Sequence, residues 1–114
     1  MDLKELYKWC SIPKKELAGR KDLKVPLRIV NDADELGKVM ARDLVDEIKK
    51  ANEENRIFHL IVPCGPKEWY GPFTEMVNEE NVSLRNVVCF HMDENLDWEG
   101  KLLPKEDPNN FRTF

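Results

Sequence analysis

Asn86-Val87-Val88-Cys89-Phe90-His91-Met92-Asp93-Glu94-Asn95 is a short apolar run that ends on two adjacent carboxylates. It is rich in β-branched and aromatic residues, bounded by polar ones, and too short for an ordinary helix, so it predicts a buried strand. A strand of a parallel sheet delivers its last residues to the carboxyl edge, where open α/β folds place their ligands. Asp93 and Glu94 are therefore expected at the rim of a pocket.

Upstream, Ile57-Phe58-His59-Leu60-Ile61-Val62 is nearly continuous in apolarity and predicts a second strand, buried on both faces. It stops at Pro63-Cys64-Gly65-Pro66, where two prolines around a Cys-Gly pair force a sharp turn. A helix follows with Phe73, Met76 and Val77 inward and Pro72 in its first turn, where proline is tolerated. Before the second strand, Ala33, Leu36, Gly37, Met40, Ala41, Leu44, Val45 and Ile48 recur at helical intervals. Asp32 and Glu35 have capping-box spacing at the start of that helix, and Lys49 and Lys50 suit the negative pole at its end. Val25-Pro26-Leu27-Arg28-Ile29-Val30 predicts a first strand, at an edge or starting after Pro26, which lacks a ladder donor. The order strand, helix, strand, helix, strand places the chain in the α/β class, as a three-layer parallel sheet with right-handed crossover helices. Both the Pro63–Pro66 turn and the Asp93–Asn95 corner then leave the sheet at the same edge.

Residues 1–24 read as a helical leader: Leu3, Leu6, Tyr7 and Cys10 form one turn-spaced stripe, and Pro13 breaks it or starts a new turn. With 114 residues the chain holds one domain at most. Its net charge of −4 argues against general affinity for nucleic acid or an anionic membrane. The basic run from Lys14 to Lys24 is interleaved with Glu16 and Asp22, as on a solvated face. Three cysteines without C-x-x-C spacing fit neither a disulfide framework nor a zinc site, and suit a reducing, cytoplasmic setting. The start of the chain lacks the apolar core of a signal peptide, and no stretch approaches the ~20 apolar residues of a membrane span.

Asp93 and Glu94 are consecutive, so their side chains diverge and only one faces the cleft. Asp93 is the favoured one, as a base that moves a proton between adjacent carbons of a sugar; the alternative is that it caps the following turn. His91 and Asp93 share a strand face, which raises a relay or a metal site, but no third ligand has diagnostic spacing. Cys64 sits where a nucleophile could, without a histidine at recognisable spacing, and a turn-packing role is the other reading. Gly65 lets backbone amides approach an anion or sugar closely. Trp69, Tyr70, Phe73 and Trp98 suit either sugar stacking or packing.

Asp32-Ala33-Asp34-Glu35-Leu36-Gly37, the turn Pro63-Cys64-Gly65-Pro66, and above all the Met92-Asp93-Glu94 corner with the tail Leu103-Pro104 to Phe114 resemble the first half of the glucosamine-6-phosphate deaminase (isomerase) family. The resemblance runs in one unbroken order from about residue 28 to residue 114. It implies that residues 25–114 are the N-terminal, incomplete portion of a larger Rossmann-like domain, of the fold shared with ribose-5-phosphate isomerase and 6-phosphogluconolactonase. Asp93 takes the position of the family's proton-transferring base at C2. Cys64, Gly65 and Pro66, with Glu94, take positions at the sugar phosphate. The implied partner is a small-molecule sugar phosphate, with no metal, no organic cofactor, no nucleic acid and no membrane; a homo-oligomer is compatible. This sequence departs from the family in the turn, where hydroxyl residues give way to Cys64-Gly65-Pro66-Lys67-Glu68, and at Asn95, Asp107 and Asn110-Phe111. The expected activity is aldose–ketose isomerisation of an amino-sugar phosphate with loss of ammonia, absent from the 114-residue chain on its own. The alternative is a non-catalytic module that binds or senses sugar phosphates.

Overall fold

The structure, a computed structural model, describes residues 2–113. The chain divides into two compact units, residues 1–31 and 32–114.

In the first unit, α1 (Leu3–Cys10) starts where the Asp2 side chain accepts the Lys4 amide, and α2 (Lys14–Leu17) is entered through Pro13. Arg20 pairs with Asp22 and lays its guanidinium 4.8 Å from the Trp9 ring centroid, a cation–π contact inside the leader. Residues 25–30, predicted as a first strand, form no ladder. Pro26 has no amide to donate, and Val25, Leu27 and Ile29 remain exposed. Their β propensity alone does not make a strand without a partner.

In the second unit, α3 (Ala33–Glu53) begins as its capping residues predict: the Asp32 side chain accepts the Glu35 amide at 2.8 Å. Gly37, Ala41, Val45, Ile48 and Ala51 form its buried stripe. Asn55, at φ 51°, takes the left-handed conformation that asparagine tolerates and releases the chain into β1 (Phe58–Val62). After the turn, α4 (Tyr70–Glu79) carries Pro72 in its first turn, and β2 (Val87–His91) returns parallel to β1. The register pairs Phe58 with Val87 and Val62 with His91.

Val45, Ile48 and Val82 make the core, with Leu44, Phe58, Phe73, Met76, Val77 and Val87 packed on it. Helices α3 and α4 are also tied by charge, because Glu80 accepts hydrogen bonds from Arg42 and from Lys49. The described residues form two layers, a two-stranded parallel sheet with α3 and α4 packed on one face. The expectation that β1 is buried on both faces is corrected. Its burial alternates, and His59, Ile61, Val88, Phe90 and Met92 face outward, with the His59 and Phe90 rings stacked 6.3 Å apart. Both helices meet the Phe58–Val87 side, and among the described residues the other face of the sheet is left open.

Candidate functional site at the carboxyl edge of the sheet

The Met92 amide donates to the Val62 carbonyl at 2.9 Å, carrying the pairing one residue beyond the strands. As a result, the Pro63–Pro66 turn and the Asp93–Asn95 corner leave the sheet side by side at its carboxyl edge, as the parallel order requires. Tyr70 anchors the turn by donating its hydroxyl to the Pro63 carbonyl at 2.9 Å. The Gly65–Pro66 peptide is cis. A β-carbon at Gly65 would meet nothing within 4 Å, so packing does not call for glycine there.

The two neighbouring carboxylates have different surroundings. Glu94 Oε1 accepts the Asn95 amide at 3.0 Å and the Phe111 amide at 2.8 Å, and Arg112 lies 3.7 Å from Oε2. These bonds, the Phe111 amide first, hold the Glu94 carboxyl below its ordinary range despite its burial. Asp93 is exposed and accepts no hydrogen bond among the described residues. The sequence left Asp93 open between a base and a cap of the following turn; the hydrogen bonds at the corner are accepted by Glu94.

Asp93 and Glu94 are close enough to act on Cys64. Burial pushes the Cys64 thiol up, and the two negative charges push it further. A thiol so placed stays protonated near neutrality, the opposite of an activated nucleophile. Beneath the edge, a cavity of about 450 Å³ lies between the sheet, α4 and the tail. Cys64, Tyr70 and His91 line it, and so do Phe111 and Arg112, to which sequence reasoning gave no role at the site. Their sequence signal was membership of the family-like tail, with Phe111 in one of its departures.

Trp69 packs against Tyr70 at 4.4 Å and Phe73 at 5.6 Å between ring centroids and is only 6% exposed, so it is a packing residue in this structure. Trp98 lies at the opposite extreme, 90% exposed on a tight reversal that the Leu96–Leu102 bridge closes. Among the described residues, no group of three or more His, Cys, Asp or Glu is placed to hold a metal ion. No helix among them is long and apolar enough to cross a membrane.

A parallel βαβ unit with an exposed carboxylate at its carboxyl edge places the chain in the α/β class. Comparison with known proteins bears out the resemblance to the glucosamine-6-phosphate deaminase family. The chain is 34% identical over 88 residues to the glucosamine-6-phosphate deaminase of Pasteurella multocida, covering 75% of this chain and 31% of that protein. It is 40% identical over 94 residues to the enzyme of the same name from Yersinia pseudotuberculosis, 79% of this chain and 32% of the relative. For that of Cronobacter sakazakii the figures are 36% over 83 residues, 70% and 29%. The chain thus spans about a third of the length of the curated relatives it matches. No family model matches it.

Proposed function

We propose that this chain supplies the proton-transfer corner of a glucosamine-6-phosphate deaminase-like protein acting on amino-sugar phosphates. The observation that carries this reading is the exposed Asp93 carboxylate, free of hydrogen bonds among the described residues, beside the Cys64–Pro66 turn at the carboxyl edge. In this reading Asp93 accepts the C2 proton of the open-chain amino sugar, the C–H electron pair becomes the C1–C2 double bond, and the C1=O π pair moves to O1, which takes a proton from solvent, giving an enolamine. Return of a proton to C1 gives a ketose imine, which water hydrolyses to the ketose and ammonia. Cys64, Gly65 and Pro66 border the ligand, Gly65 by leaving open space. Glu94 supports the corner from behind. Ring opening and most phosphate binding fall to residues outside the segment seen here, within a larger three-layer domain, so the 114-residue chain alone should not release ammonia.

A second reading is a sugar-phosphate sensor without turnover. It is favoured by the turn itself, which offers a thiol, a proline and a lysine, Cys64, Pro66 and Lys67, where the family's turn carries hydroxyls.

The test compares wild type with Asp93→Asn in the longest polypeptide that carries this segment, measuring ammonia release and affinity for glucosamine 6-phosphate. Asparagine keeps the size but cannot accept the proton, so kcat should fall by about 10²–10⁴ with affinity nearly unchanged. Turnover at close to the original rate would exclude Asp93 as the base. Sugar phosphate binding with no turnover in wild type would establish the sensor instead.

A further inference from the structure

The tail from Leu103 to Thr113 is built to end on Glu94. Asn110, only 2% exposed, donates its Nδ2 to the Leu103 carbonyl at 2.8 Å and the Pro104 carbonyl at 3.0 Å, and its Oδ1 accepts the Arg112 amide at 2.9 Å. Asp107 accepts the Asn109 amide at 2.8 Å, and its own amide donates to the Pro104 carbonyl at 3.1 Å. A stretch of irregular chain is thereby folded around one buried amide side chain, which satisfies backbone groups that would otherwise be stranded. The end of this knot presents the Phe111 amide to Glu94 Oε1 at 2.8 Å. A second strap runs beside it, from Asn95 Nδ2 to the Asn109 carbonyl at 2.9 Å.

We propose that Glu94 is a positioning residue: its carboxylate clamps the tail to the sheet edge, and the clamp fixes the backbone at Asp93 and the wall of the cavity that Phe111 and Arg112 form. Its importance for chemistry rests on the reading of Asp93 as the base. The carboxylate oxygen accepts two backbone amides, one from the residue that follows it and one from 17 residues away, so it welds a local turn to a distant one. A ligand contact through Oε1 would have to displace one of these bonds, leaving a backbone amide unsatisfied at a cost comparable to the bond itself. Glu94 Oε1 therefore holds the corner, while Oε2, buried and without a hydrogen-bond partner among the described residues, lies 3.7 Å from Arg112.

The clamp can be tested in the 114-residue chain without any ligand, by amide hydrogen exchange and backbone NMR signals in wild type, Glu94→Gln, Glu94→Ala and Asn110→Ala. Glutamine retains an acceptor oxygen, so Glu94→Gln should keep exchange at the Phe111 amide within about threefold of wild type, whereas Glu94→Ala should speed it about tenfold or more. Glu94→Ala should also shift the Asp93 and Cys64 amide signals, with those of α3 unchanged. Asn110→Ala loosens the tail from the far side and should displace the same Asp93 signal, which keeps the test decisive if Glu94→Ala does not fold. Unchanged Phe111 exchange in Glu94→Ala, a Glu94→Gln variant as perturbed as Glu94→Ala, or an Asp93 signal indifferent to Asn110→Ala would each overturn the proposal. A chain that shows the clamp but binds no sugar phosphate in its longest natural form would sink the functional reading alone.

Discussion

Gly37 carries no side chain where the backbone of Glu68 passes over α3: a β-carbon at position 37 would lie 2.4 Å from the Glu68 carbonyl oxygen and 2.5 Å from its carbonyl carbon. The obstacle is main chain, so rotamer changes cannot relieve it. Gly37→Ala should destabilise the protein by about 1–3 kcal/mol, the usual cost of overpacking, despite alanine's higher helix propensity. The check is the urea midpoint. A midpoint at or above wild type would show that the segment after the Pro63–Pro66 turn yields freely.

Glu80 joins α3 to α4 through Arg42 first and Lys49 second, and these bonds lower its carboxyl from 4.5 to about 2. A folded-state value below the unfolded one gives stability that is present above the unfolded value and lost as pH falls through the folded one. Acid unfolding should therefore draw on Glu80 between roughly pH 5 and pH 2. Glu80→Gln should flatten that limb of the stability profile, and added salt should do so in part, because the pair is partly exposed. A Glu80→Gln profile parallel to wild type across this window would count against the linkage.

Cys64 should alkylate slowly near neutral pH because burial, then the Asp93 and Glu94 charges, disfavour its thiolate. Removing one charge by Asp93→Asn should raise its rate, because one of the two charges that disfavour the thiolate is gone. Exposed Cys10 and Cys89 act as internal controls. Mass-resolved iodoacetamide labelling separates the three sites, and an unchanged Cys64 rate would mean that Asp93 is not its electrostatic neighbour.

Asp32→Ala removes the side-chain acceptor of the Glu35 amide and should cost about 0.5–2 kcal/mol, read from thermal unfolding. Asp32→Asn, which retains an acceptor, should lose far less. Equal losses in the two variants would assign the effect to charge at the helix start rather than to the cap.

Signals that depend on neighbours in sequence were legible in the sequence. The Asp32 cap, the stripe of α3, Pro72 in the first turn of α4 and the parallel pairing of Phe58–Val62 with Val87–His91 all follow from local spacing or chain direction. Signals that depend on a distant partner were not. Val25–Val30 has strand composition but no ladder, and the apolarity of Ile61 and Phe90 gave no hint that their face would stay open. At the site, sequence placed Asp93 and Cys64 at one edge and favoured Asp93 for the cleft, but gave no sign that Glu94 is bonded to the tail. That bond comes from the Phe111 amide, 17 residues from Glu94, held in place by a buried Asn110 that composition alone marks as a surface residue.

The near-complete burial of Trp69, set against the bare Trp98 and the half-exposed Trp9, gives the protein a built-in optical gauge. Trp69 borders the cavity beneath the sheet edge and a second hollow formed by Met40, Leu44 and Pro63, so its indole senses both sides of the Pro63–Pro66 turn. Light emitted at short wavelength should come chiefly from Trp69, and Trp98 should contribute the red, easily quenched part. With Trp98→Phe and Trp9→Phe the remaining emission would follow one buried ring, so that movement of the turn becomes visible as a colour change.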